Sequence, residues 1–367
     1  MKITCLQENL KTSLNIVQNI IGRNLTLPIL NNILVQTEGG RLKISSTNLE
    51  IGINTWSAGK IEKEGAITCP AKILTGFINS LPNKKIDLET KGETLVVRCE
   101  NYKVTLKGLP AEDFPLIPKI KEPALIEIEA NILRQGLAQV VQAAALSESR
   151  PEITGILFKI ERNSLILAAT DSFRLAEKTI LDVKKEGELS HSIIIPQRTV
   201  QELIRILSEQ NSSVKMVLGN NQILFEMEDI QVISRIIDGQ YPDYQQIIPK
   251  SFLTQAVMER DELLNLIRIA GLFSSKINDI KISLRAGRLE ILSQDPDLGE
   301  NKSYLEAEIK GKEIETTFNY RYLLEGLINI GTKKVFLGMN SETSPAILKP
   351  QEAKENYLYV VMPIRLN

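Results

Sequence analysis

One histidine, one tryptophan and three cysteines in 367 residues leave few of the side chains that most often carry chemistry. The histidine, His191, stands in Ser190-His191-Ser192 with no carboxylate beside it, so it has no sequence neighbour to orient it as a general base. Cys5, Cys69 and Cys99 are isolated and odd in number. They offer neither a disulfide framework nor a zinc-ligand spacing, and read as buried, reduced thiols. Asp295-Pro296-Asp297-Leu298-Gly299-Glu300 has the composition of a calcium loop without its spacing, and reads as a polar hairpin tip. No phosphate-cradling P-loop motif is present. No metal, cofactor or catalytic residue is therefore expected. Nor does any run approach the roughly 20 apolar residues that span a bilayer. The chain enters strand-like sequence at Met1-Lys2-Ile3-Thr4, without the pattern of a signal peptide. A cytoplasmic protein with no membrane partner is the expectation. The formal net charge of −1 excludes a uniformly basic coat for nucleic acid, but it allows one basic face.

What is present is a threefold repeat. Cys69-Pro70-Ala71-Lys72-Ile73-Leu74 returns as Ile195-Pro196-Gln197-Arg198-Thr199-Val200 and again as Phe318-Asn319-Tyr320-Arg321-Tyr322-Leu323. Position 72 maps to 198 and then to 321, steps of 126 and 123 residues, too long for a solenoid and right for tandem domains. Each third opens with an apolar stripe at helical spacing: Leu10, Leu14, Val17, Ile21; Leu133, Leu137, Val140, Ala144; Leu263, Ile267, Ala270. Hairpins follow, through Gly39-Gly40, Arg162-Asn163 and Ala286-Gly287. A second helix comes next, and then further strands. Proline-rich links at 114–123 and 241–250 separate the copies. The expected fold is α+β: three tandem copies of one domain, each two helices on a mostly antiparallel sheet, at residues 1–120, 124–248 and 252–367.

Basic residues recur with the repeat. Lys72, Arg198 and Arg321 share one position of the second helix; Lys11 and Arg134 match in the first helix, Arg268 adds a cation to the third copy, and Arg205 lies further along from Arg198. With Arg23 they form one basic set, expected to face phosphates. Cations at repeated positions suit phosphates contacted without regard to sequence. These helices carry little aromatic interleaving, so stacking on single-stranded bases is not favoured.

Several segments then resemble a known family. Thr26-Leu27-Pro28-Ile29-Leu30-Asn31-Asn32-Ile33-Leu34, Arg150-Pro151-Glu152-Ile153-Thr154-Gly155-Ile156-Leu157-Phe158 and Ala169-Thr170-Asp171-Ser172-Phe173-Arg174-Leu175-Ala176 are similar to motifs of the bacterial DNA polymerase III beta-subunit family, the sliding clamps. The tail Tyr359-Val360-Val361-Met362-Pro363-Ile364-Arg365-Leu366 resembles that family's closing strand. The resemblance runs from end to end. It implies a homodimeric ring, joined head to tail, that encircles double-stranded DNA without sequence preference. It also implies peptide-bearing partners: the catalytic subunit of DNA polymerase III, the clamp loader, and other polymerases and repair proteins. The family's peptide cleft carries over to Ile153, Thr170, Ser172, Phe173, Arg174, Leu175, Pro242, Ile247, Val360, Met362, Pro363, Ile364 and Arg365. Its dimer contact carries over to Val104 and Leu106 on one side and to Leu272 and Phe273 on the other. This chain departs from the common pattern at Ser172-Phe173, where many members have Gly-His, and at Gln246, where a basic residue is common. Two alternatives remain: a ring-forming paralogue dedicated to repair, and a three-repeat enzyme with its site at a domain junction. The second would need convergent acid–base or metal groups.

Overall fold

The computed structural model of the chain describes residues 1–22, 26–147, 149–185, 190–285, 287–352 and 355–365. Arg23 of the expected DNA-facing set lies outside them. Six α-helices occur among the described residues, two per copy: α1 Gln7–Gln18, α2 Ala71–Asn79, α3 Ala130–Val140, α4 Gln197–Leu207, α5 Arg260–Gly271 and α6 Tyr320–Ile328. Their apolar stripes face inward, as the spacing predicts; α1 buries Leu10, Leu14 and Val17, and α5 buries Leu263, Ile267 and Ala270. The first helix ends earlier than its stripe suggested. It stops at Gln18, and the core takes Ile20 instead of Ile21, because leaving the helical path shifts which side chain points inward. Likewise Ala144 lies beyond α3, past a 3₁₀ turn at Val141–Ala143. Cys5 and Cys69 are buried, and burial pushes both thiols up to about 12. Cys99 is buried too, with its thiol also raised by burial.

The chain divides into two compact units where the repeat has three copies. Unit one comprises residues 1–131, 184–187 and 202–236; unit two comprises 132–183, 188–201 and 237–367. The physical reason is strand sharing. Within unit one, Ile51–Ser57 of the first copy pairs antiparallel with Ile230–Arg235 of the second, Ile53 opposite Val232, in the middle of a nine-stranded sheet. Within unit two, Arg174–Leu181 of the second copy pairs with Tyr357–Val361 of the third, Leu175 opposite Val360, in another nine-stranded sheet. The backbone hydrogen bonds of one copy's edge are thus satisfied by the next, leaving no bare edge there. Among the described residues each unit has one further antiparallel sheet. In unit one it has five strands and ends at Tyr102–Lys107; in unit two it has four and ends at Gly299–Glu306.

A candidate peptide cleft and the candidate DNA-facing cations

All the residues of the expected peptide cleft fall in unit two. Its rim is a turn that the sequence Thr170-Asp171-Ser172-Phe173-Arg174 closes with its own side chains. Thr170 Oγ1 donates to the Arg174 carbonyl at 2.6 Å and accepts from the Ser172 amide at 3.2 Å. Asp171 Oδ1 accepts from the amides of Phe173 and Arg174 at 2.9 and 3.0 Å. Short polar side chains that bond the backbone two and three residues on are what such turns need. They hold Ser172 in the left-handed region, φ 77°. The turn presents Phe173, 62% exposed, to solvent, while the Met362 amide donates to the Phe173 carbonyl at 2.8 Å.

Leu175 and Val360 are fully buried, in one cluster with Leu157, Ala168, Tyr244 and Ile347. They belong to the core rather than to any accessible surface, and so does the buried Ile153. The accessible apolar surface comes from Phe173 and Ile247, the latter 47% exposed, with the half-buried Pro242, Met362, Pro363 and Ile364. Arg365 is exposed. Tyr241 and Tyr244 of the linker stand edge to face, 6.2 Å between centroids, and Tyr244 donates its hydroxyl to Glu177 at 2.6 Å. Burial, followed by the Glu177 contact, pushes the Tyr244 phenol well up, so it stays a donor. Beside it, Glu177, Asp243, Gln245, Gln246, Ile248 and Lys250 border an open depression of about 650 Å³. Gln246 donates to Asp243 at 2.7 Å.

Arg174, one of the expected cleft residues, is engaged within the chain. Its Nε donates to Asp171 at 2.9 Å and its Nη2 to the Gln142 carbonyl at 2.6 Å; Nη1 contacts Glu325 of α6. Its guanidinium stacks 4.4 Å from the Tyr322 ring centroid. Burial works against its charge, but Tyr359, Glu325 and Asp171 outweigh it and the pKa is raised. Arg174 therefore ties the cleft rim to α6. Tyr322, Glu325 and Gln142 escaped the sequence reading because they lie far from Arg174 in the chain. Only the Asp171–Arg174 spacing carried a local signal.

In unit one, Lys11 and Lys72 are exposed on α1 and α2. In unit two, Arg198, Arg268 and Arg321 are exposed on α4, α5 and α6, and Arg134 is half-buried on α3. Lys72, Arg198 and Arg321 are each the second residue of their helix. Arg205 is engaged within the chain. In unit one its Nη2 donates to the Ile16 carbonyl at 2.7 Å, its Nη1 to the Asn15 carbonyl at 3.4 Å, and its Nε to Glu202 at 2.8 Å. Those carbonyls belong to the last turn of α1, where orphan acceptors attract a cation. Replacing Arg205 with alanine should lower unfolding stability by about 1–2 kcal/mol, the value of charge-assisted bonds discounted for a side chain one-third exposed. The salt dependence of DNA binding should not change. Chemical denaturation alongside a salt titration checks this; unchanged stability with a shallower salt slope would return Arg205 to the DNA-facing set.

Of the expected dimer residues, Leu272 is 69% exposed and Phe273 half-buried, just past the end of α5. Val104 is half-buried, and Leu106 is buried within its own sheet. Among the described residues no cluster of three or more histidine, cysteine or carboxylate side chains could hold a metal, and no helix is long and apolar enough to cross a membrane.

Three copies of a two-helix, antiparallel-sheet domain, joined by shared sheets, define a tandem clamp-domain protein. Residues 1–118, 127–243 and 245–365 match in turn the N-terminal, central and C-terminal domains of the DNA polymerase III beta subunit. The beta sliding clamp of Synechococcus elongatus is 32% identical over the full length of both chains. The crystal structure of the DNA polymerase III beta subunit from Pseudomonas aeruginosa superposes with a TM-score of 0.95 at 30% identity, covering both chains completely. The sliding clamp structure from Bacillus subtilis does so with 0.96 at 26%, again over both complete chains. The chain belongs to the DNA polymerase III beta-subunit family, the beta sliding clamps.

Proposed function

We infer that two copies of this chain close head to tail into a ring around duplex DNA. The ring holds DNA without reading its sequence and tethers peptide-bearing partners: the DNA polymerase III catalytic subunit, the clamp loader, and other polymerases and repair proteins. Its role is non-catalytic and its place is the cytoplasm. The copies run over residues 1–120, 124–248 and 252–367.

The observation that carries this reading is the recurrence of a cation as the second residue of α2, α4 and α6. A helix N-terminus is the positive end of the helix dipole, where an acidic side chain would be favoured by about 0.3–1 kcal/mol. A cation repeated there three times, exposed each time, works against its own helix dipole, and its recurrence suits a polyanion. Phosphates supply that charge with no base contact to fix a register. Arg205 is left out of this surface; Lys11, Lys72, Arg134, Arg198, Arg268 and Arg321 make it up. The peptide cleft, as we read it, uses Phe173, Pro242, Ile247, Met362, Pro363, Ile364 and Arg365 as contact surface, with Leu175 and Val360 as floor. The purified chain should stay on nicked circular DNA and run off the same DNA once linearised. Equal loss from both forms would remove the ring.

Closure calls for two complementary edges. Tyr102–Lys107 and Gly299–Glu306 each end a sheet, with exposed Lys103 and Lys107 on one and exposed Glu300 and Glu306 on the other. A bare strand end is a template for pairing with another chain. Pairing these edges between copies leaves Leu272 and Phe273 as the apolar anchors of the contact. Replacing both by alanine should weaken the dimer by about 2–4 kcal/mol, some thirtyfold to a thousandfold in dissociation constant. Sedimentation at nanomolar concentration reads this directly, and a variant still fully dimeric there would show that the anchors lie elsewhere.

A further inference from the structure

The strand pairing between copies in unit two has a counterpart inside unit one. There Gly52 stands opposite Ile233, as Leu175 stands opposite Val360. The preceding turn repeats too. Thr47 Oγ1 donates to the Ile51 carbonyl and accepts from the Leu49 amide, both at 3.0 Å, and Asn48 Oδ1 accepts from the amides of Glu50 and Ile51. Leu49 has φ 76°, against 77° for Ser172. A left-handed backbone is uncommon for a bulky side chain, and such strain gathers at binding sites. Here it holds a leucine 47% exposed.

Thr47, Leu49, Leu116, Ile117, Ile233 and Arg235 border a hollow of about 190 Å³ at this place. Ile233 belongs to a buried cluster with Val217 and Leu224, against which Ile117 of the linker packs. A side chain at position 52 would meet Ile117 at 2.9 Å, so the glycine is what lets the linker settle onto the sheet. Leu116 is 91% exposed, which places a second unpartnered leucine on the rim. Arg235 is exposed and makes no ion pair among the described residues. Among the described residues it is the one cation on this hollow, and Glu50 is its one carboxylate.

We propose that this hollow is a second docking site, for a short extended peptide of another protein that carries one branched apolar side chain next to a carboxylate. The volume suits a single apolar side chain and falls below the roughly 300 Å³ at which small-molecule pockets begin. Leu49, Leu116 and Ile117 supply its apolar wall. Arg235 has the planar fork that pairs bidentately with a carboxylate. Glu50 accepts from the peptide's own amides. The proposal stands on unit one alone.

Trp56, the only tryptophan, makes the test specific. It lines a neighbouring groove that shares Ile117, Pro118 and Ile233 with the hollow. The acetylated hexapeptide Ala-Ala-Leu-Asp-Ala-Ala, titrated into the full chain, should change Trp56 emission saturably. Arg235→Glu should raise the half-saturation point about tenfold or more, while deletion of residues 363–367 should leave it unaltered. The same peptide with benzoylphenylalanine in place of the alanine before the leucine should crosslink to the segments 47–52 or 116–118. Crosslinks confined to unit two, or equal binding by Arg235→Glu, would overturn the proposal. An emission change that follows protein concentration without peptide, and that Arg235→Glu abolishes, would assign the hollow to a second copy of the chain and overturn it as well.

Discussion

Deleting residues 363–367 should weaken binding of a short peptide with one glutamine and two large apolar side chains about a hundredfold or more, and the chain should still dimerise. Pro363 and Ile364 are half-buried and directly follow Met362, so the deletion removes part of the accessible apolar surface. Two apolar contacts of about 1.5–2 kcal/mol each amount to at least a hundredfold at 1.4 kcal/mol per tenfold. The floor stays, because Leu175 and Val360 are held by the strand pairing upstream. The cost to stability is small: one backbone bond, from the Ile364 amide to the Thr317 carbonyl at 2.8 Å, is worth about 1 kcal/mol. Fluorescence polarisation with a labelled peptide measures the loss, and sedimentation measures the dimer. Equal binding by intact and shortened chains would mean that the tail is not a wall of the cleft.

Arg174 gives a contrasting case at the same rim. Its bonds to Asp171 and Gln142, its contact with Glu325 and its stacking on Tyr322 make it a tie between the turn and α6. Its effect on a peptide would thus pass through the position of Phe173, whose amide the same Asp171 holds.

The repeat is what made most of the fold legible. One helix or hairpin alone is an ambiguous signal, but the same apolar stripe and the same turn at three places 120-odd residues apart leave little choice of element type. Exposed cations on the helices were legible for the same reason. Strand sharing between copies was not, since nothing local to Arg174–Leu181 says that its partner is Tyr357–Val361. That pairing is also why Leu175 and Val360 are buried: both join a core cluster built from two copies, and period-2 alternation does not say which face a second copy covers. The contacts of Arg205 were hidden by a similar limit. A basic residue on an exposed-looking helix position reads as solvated until the carbonyls of Asn15 and Ile16, about 190 residues away, are seen beneath it. The end of α1 was blurred because Ile20 and Ile21 are adjacent and equally apolar, and only the helix stop at Gln18 decides between them.

Reversing charge at Lys72 and Arg321 together should collapse retention on circular DNA without loss of fold. Both side chains are exposed, and both sit at helix starts where glutamate is favoured over a cation by the helix dipole. The substitutions should therefore leave melting unchanged or raise it slightly. A closed dimer would lose four phosphate-facing cations and gain four carboxylates. Each lost contact removes about one from the slope of log affinity against log salt, so the slope should fall by about 3–4. At moderate salt, the half-life on nicked circles should drop by an order of magnitude or more. Because no base edge is read, the effect should be the same on any sequence. Retention by gel filtration across a salt series, paired with a melting curve, separates the outcomes. A variant that melts normally and keeps both its half-life and its salt slope would show that the repeated helix-start cations do not meet the DNA.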